Sequence, residues 1–213
     1  MILFLFSESI LFPLIAGLVS FRRIGKAYRP FFLMIACAAL TEPVSFLFIR
    51  TIHTNAIPNN LYALAEWLLV AWQFHIWGLF GSRKRLFYFL VAFVALIWIT
   101  EDLVFGQITT FPPYFQVLYS FLIVLFSVNK INFMITHDDR KLYGNPIFLI
   151  CIGFIILFVY KIIYEWAYQT SLSGATETTT DIRRLFSYIN ALVNAIFAIA
   201  LLRIPHPQKF TLK

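Results

Sequence analysis

Charge is what this chain has least of. Only 13% of its 213 residues are charged, against roughly 25% in a soluble domain, and the mean hydropathy is +0.80. That excludes an ordinary water-soluble globular domain. Acids are scarcer than bases, ten against seventeen, for a net charge of +7. Such a balance would suit nucleic acid, but the bases fall in short clusters between apolar runs and no exposed domain is left to carry an interface, so no nucleic-acid partner is expected. Cysteine is nearly absent. Cys37 and Cys151 each lie inside an apolar run without a CxxC or a nearby histidine, which reads as two free, buried thiols. Neither GxSxG nor HExxH occurs, and His53, His75, His137 and His206 are dispersed over loops and separate depths. The last apolar run has no central lysine to form a retinal Schiff base. No catalytic group, metal or cofactor is therefore expected.

What is abundant is apolar length. Seven runs, at about 2–21, 31–49, 61–81, 86–104, 112–130, 146–166 and 184–203, approach the ~20 residues that a ~30 Å hydrocarbon core requires. The first has no basic residue before it and no small-x-small site, so it is not a cleavable signal peptide. The expected fold is an all-α seven-helix transmembrane bundle, residues 1–213 forming one domain. Lys and Arg set its direction. The connections at 22–30, 83–85 and 130–144 and the tail from Arg203 hold thirteen of them, the alternate connections only Arg50, Arg183 and Arg184. The positive-inside rule then places the N-terminus outside and the C-terminus in the cytoplasm, with the basic clusters meeting anionic lipid. The Ser/Thr/Gly-rich stretch 167–182 reads as a solvated outer loop.

Within this frame the acids gather towards the outer leaflet. Glu8, Glu42, Glu66, Glu101, Asp102 and Glu165 fall in the outer parts of their runs, and Lys161 joins them; Asp138 and Asp139 fall on the other side. An ionisable group inside a span costs roughly 2.5–3.5 kcal/mol, so each needs a reason. Helical spacing aligns Tyr62, Glu66 and Gln73 on one face, Gln116, Ser120 and Ser127 on another, and Ser187, Asn190 and Asn194 on a third. These faces should turn inward. Pro13 and Pro43 each remove a helical donor near a carboxylate and would open the outer half. The candidate ligand-binding set is Glu8, Glu42, Tyr62, Glu66, Glu101, Lys161, Tyr188, Asn190 and Asn194.

Each has a plainer reading. Asn190 and Asn194 would serve as hydrogen-bond glue, and Lys161 would pair with Glu165 four residues on or snorkel to headgroups. Glu101 and Asp102 would simply end a helix, His75 would be a packed imidazole, and Tyr62, Trp67, Tyr114 and Trp166 would form an interfacial aromatic belt.

The segments YALAEWLL, NPIFLICIGFIILFVYKIIYEW and FSYINALVNAIFAIALLRIP resemble small, uncharacterised bacterial seven-span proteins, similar in size to the membrane-embedded sensing halves of bacterial receptors. The resemblance covers most of the chain and implies a bacterial inner-membrane protein but no established activity; the one-sided placement of Glu8, Glu42, Glu66, Glu101 and Lys161 makes a receptor-like or accessory protein the expected function. It would bind a small ligand or a partner segment in an outward-facing acidic cavity, with output passing to a separate membrane or cytoplasmic protein. Two other classes stay open: a small proton-coupled transporter, and a structural subunit of a larger membrane complex.

Overall fold

A computed structural model describes residues 8–110, 113–137, 142–171 and 176–205. Among them all regular structure is helical. Seven α-helices follow in order: α1 (Leu11–Val19), α2 (Arg29–Ile52), α3 (Ala56–Ile76), α4 (Lys84–Trp98), α5 (Pro113–His137), α6 (Pro146–Ser171) and α7 (Thr176–Leu202). A π-helical turn, Ile99–Val104, continues α4, and a 3₁₀ turn at Glu8–Ile10 leads into α1.

Local chemistry sets several boundaries. Asn145 accepts a hydrogen bond from the Ile147 amide at 2.9 Å, and Pro146 supplies a fixed φ at the first position of α6. The Glu101 carboxylate accepts from the Tyr114 and Phe115 amides at 3.1 and 2.8 Å, capping α5 from another helix. His53, left-handed at φ 63°, ends α2. The α2 helix runs through Pro43, whereas Pro13 falls in the first turn of α1, where no intrahelical donor is required. The stretch 167–182 differs from its expected loop character: α6 runs to Ser171 and α7 begins at Thr176, with 172–175 outside the described residues.

The helices pack as a ring. Neighbours around it are α2 with α3, α3 with α5, α5 with α6, α6 with α7, α7 with α1, and α1 with α2; α4 lies against α3 and α5. Gly153 allows the closest approach of α6 to α7, because a Cβ there would overlap the Phe197 ring. Phe31, Phe74, Phe154 and Phe197 then interlock, with edge-to-face contacts at 5.1 Å for Phe31–Phe197 and 5.5 Å for Phe154–Phe197.

Burial runs opposite to that of a soluble domain. Leu40, Phe46, Leu96, Phe121 and Leu125 are exposed, while Glu66, Gln73, Gln116, Ser120 and Ser127 are buried. The two polar stripes expected on α3 and α5 do face inward. Five helices are long and apolar enough to cross a membrane: α2, α4 with its π turn, α5, the part of α6 up to Ala167, and α7 from Arg184. That is the composition of an integral membrane protein. The α3 helix has the length but not the apolarity, because Asn59, Asn60, Glu66, Gln73 and His75 dilute it. It survives on burial instead, with ten of its side chains inside the bundle.

Two ends of the bundle differ. At one, Gln73 Nε2 and Trp77 Nε1 donate to the Ala27 carbonyl at 2.5 and 3.0 Å. Lys130 Nζ donates to the Trp77 carbonyl at 2.7 Å, and Arg203 to the Tyr143 carbonyl at 2.8 Å. The clusters Arg22–Arg29 and Arg83–Arg85 lie at this end. At the other, Asn60 Nδ2 donates to the Ile108 and Thr110 carbonyls at 3.1 and 2.7 Å, and Tyr160 to the Ile182 carbonyl at 2.9 Å.

Candidate functional site

A polar cavity of about 160 Å³ lies inside the ring, towards the end opposite the basic clusters. That is room for several waters or a small organic molecule. Helices α2, α3, α6 and α7 wall it, and Ile10 approaches from the turn before α1. Its polar lining is Thr41, Glu42, Asn59, Tyr62, Glu66, Lys161, Asn190 and Asn194; Met34, Leu157, Phe186 and Phe197 supply apolar walls.

Glu66 is the hub. Its Oε1 accepts from the Tyr62 phenol at 2.9 Å, its Oε2 from the Tyr119 phenol at 2.8 Å, and Lys161 Nζ ion-pairs with Oε2 at 3.2 Å. Lys161 also donates to the Tyr119 oxygen and sits 4.9 Å from that ring's centroid. One carboxylate thus ties α3, α5 and α6 together through three groups, two phenols and an ammonium. The ion pair crosses between helices, from α6 to α3, rather than running along α6 to Glu165 as the four-residue spacing suggested. Burial does not choose between the two carboxylates, since Glu66 and Glu165 are 4% and 5% exposed; what Glu66 adds is Tyr119, whose phenol meets both the carboxylate and Lys161.

Six of the nine candidates meet here: Glu42, Tyr62, Glu66, Lys161, Asn190 and Asn194. Glu42 is exposed, at the mouth, and Glu66 lies at depth. Asn194 has a second attachment, donating to Ser9 Oγ at 2.8 Å and so holding α7 to the turn before α1. Glu101 and Tyr188 do not line the cavity, and the side chain of Glu8 lies outside what the structure describes. Glu101 caps α5, Tyr188 faces outward and is 49% exposed, and Glu8 occupies the first position of the 3₁₀ turn.

Other expectations resolve at neighbouring positions. His75 stacks on Phe87 at 4.3 Å between ring centroids, a packed imidazole. Cys37 and Cys151 are free thiols. Trp67 departs from the aromatic belt, being fully buried against Phe126 on the inner side of α3, whereas Tyr114 and Trp166 are exposed. The turn of helix that carries Glu66 inward carries Trp67 with it. Asp138, Asp139 and His206 lie outside the described residues.

Sequence reasoning missed Tyr119, which is fully buried and bridges Glu66 and Lys161. A signal existed, since it lies three residues from Gln116 and one from Ser120, within the α5 polar stripe. Thr41 and Asn59 had none, for each stands at a helix position that only the packing of α2 on α3 turns towards the cavity. No family model, no curated protein and no solved structure matches the chain.

Proposed function

We propose that this chain is a receptor-like or accessory integral membrane protein of seven spans, with the cavity facing outward and the basic end in the cytoplasm. It binds a small ligand between Glu42, Glu66, Lys161 and Asn190. The observation that carries the reading is a hollow lined by ionisable and amide side chains, in a molecule whose outer surface is apolar. Polar side chains kept only for packing would close on one another; here they leave ~160 Å³ open.

The ion pair supplies a mechanism. Glu66 has its oxygens satisfied by two phenols and an ammonium. A ligand amine would take the place of Lys161 on Glu66, while a ligand carboxylate would draw Lys161 away. Either exchange loosens the link between α6 and α3, a two-state element whose balance reaches the basic end through both helices. The output would pass to a separate membrane or cytoplasmic partner, and the basic clusters would hold anionic lipid. By its resemblance, the membrane is the bacterial inner membrane.

Thermal unfolding of the purified protein against a panel of amino acids, small amines and small carboxylates tests this. A binder at a hundred times its Kd stabilises by about 2.7 kcal/mol, and the gain should vanish in Glu66→Gln and Lys161→Met. No saturable gain from any of the three classes sinks the reading. A second reading, proton-coupled transport, draws on the same contacts: phenol, carboxylate, phenol and ammonium form an unbroken hydrogen-bonded row. Uptake into proteoliposomes that follows a pH gradient and fails in Glu66→Gln would favour it over the receptor.

A further inference from the structure

The π turn that continues α4 carries a carboxylate inward with no donor to meet it. Asp102 is fully buried, and neither of its oxygens has a hydrogen-bond partner among the described residues. Its neighbours do not repair this. The Asn60 amide of α3 stands beside it, but its Nδ2 hydrogens go to the Ile108 and Thr110 carbonyls at 3.1 and 2.7 Å. Reversing that amide would set its oxygen against two carbonyls. Asn60 Oδ1, on a side chain that is itself buried, is left without a donor as well. Glu101, the preceding residue, adds like charge. Three buried acceptor oxygens thus gather with no donor among the described residues, a costly arrangement that calls for a positive group.

The chemistry of the oxygens says which group. All are hard donors: a carboxylate, a side-chain amide and, drawn to the same amide, backbone carbonyls. No three His, Cys, Asp or Glu side chains gather among the described residues, which speaks against a transition-metal centre. Charge then favours a monovalent ion. Glu101 is already compensated, because its carboxylate accepts the Tyr114 and Phe115 amides at the positive end of α5. The one uncompensated charge is that of Asp102. The position is also a rigid one, since the Trp98 indole donates to the Asn60 carbonyl at 3.2 Å and locks α4 to α3 beside it.

We propose that Asp102 and Asn60 form a binding site for a monovalent alkali cation, at the end of the bundle opposite the basic clusters. The ion joins α3 to the π turn. The site shares no residue with the cavity: Asn59 lines the cavity, and Asn60, one step round α3, meets the π turn instead.

Equilibrium binding of radiolabelled sodium to the full chain in detergent, at fixed pH and with N-methylglucamine chloride holding the ionic strength, reads the site directly. The wild type should bind saturably, and Asp102→Asn should weaken binding at least about tenfold by removing the ligand charge. Glu66→Gln, which alters the cavity, should leave sodium binding intact, so failure here and failure of the cavity reading are distinguishable. Thermal unfolding gives a second measure that needs no variant: sodium should raise the wild-type Tm where N-methylglucamine does not. No saturable binding overturns the proposal, as does binding kept in Asp102→Asn. Binding lost in Glu66→Gln and kept in Asp102→Asn would put the sodium in the cavity and overturn it too. A Tm that follows pH but not sodium would mean that Asp102 holds a proton only, with the same result. Calcium displacing sodium at equal or lower concentration overturns the monovalent assignment.

Discussion

The two ends of the bundle hold similar polar residues and use them differently. At the basic end, Gln73, Trp77 and Lys130 reach backbone carbonyls and amides, side chain to main chain. At the cavity end, Tyr62, Glu66, Tyr119 and Lys161 reach one another, side chain to side chain, around an open volume. Backbone partners are fixed by the helices and cannot be exchanged without unwinding them. Side-chain partners can be exchanged for a ligand at the cost of a rotamer. Depth in the membrane and chemical type therefore do not separate a staple from a site; the nature of the partner does.

The largest effect should come from breaking the cavity-end pair. Lys161→Met leaves the buried Glu66 carboxylate without its ammonium, an expected loss of about 3–5 kcal/mol. Adding Glu66→Gln removes the stranded charge and should restore much of that loss. The two changes are then strongly non-additive in equilibrium unfolding from bicelles. Additive losses would mean that the pair is not coupled and that the cavity end holds no exchangeable contact.

The basic end should respond differently. Gln73→Leu deprives the Phe31 amide of its acceptor, while the Ala27 carbonyl keeps Trp77. A single orphaned buried donor costs about 1–3 kcal/mol. Unfolding measures that loss, and any ligand found for the cavity should bind the variant with unchanged affinity once folded. Altered affinity would mean that the two ends are not separable.

Much of this contrast was legible in the sequence, and the reason is periodicity. Tyr62, Glu66 and Gln73 lie on one helical face, and the structure buries Glu66 and Gln73. Yet spacing gave no hint that this face divides, with Tyr62 and Glu66 meeting other side chains and Gln73 meeting the backbone at and just before the start of α2. Spacing within α6 likewise offered Glu165 as the partner of Lys161, because the alternative, Glu66, lies ninety-five residues away. Hydropathy marked five helices well, but it passes over α3 although α3 is central, since a helix shielded by its neighbours need not be apolar. Glu101 looked like one more acid in the outer leaflet; its partners are the amides of a helix that begins twelve residues later.

A smaller effect tests whether boundaries at the basic end are set locally. Asn145→Ala removes the cap on the Ile147 amide and should cost about 1 kcal/mol, with Asn145→Asp nearly neutral. Equal losses for the two would show that Asn145 acts through packing and not through its side-chain acceptor.

The smallest expected effect is the most diagnostic for the site, because Asn194 belongs to both sides of the comparison. It lines the cavity and also donates to Ser9 at 2.8 Å, both side chains being buried. Interhelical hydrogen bonds of this kind average about 0.6 kcal/mol in double-mutant cycles within membranes. Ser9→Ala, Asn194→Ala and the double variant form such a cycle, and the coupling should fall near that value. Ser9→Ala frees the amide without altering its position on α7, so if Asn194 is available to a ligand, cavity binding should hold or tighten in Ser9→Ala and weaken only in Asn194→Ala. Equal weakening in both would make Asn194 a fastener between α7 and the turn before α1, and would confine the ligand to Glu42, Glu66, Lys161 and Asn190.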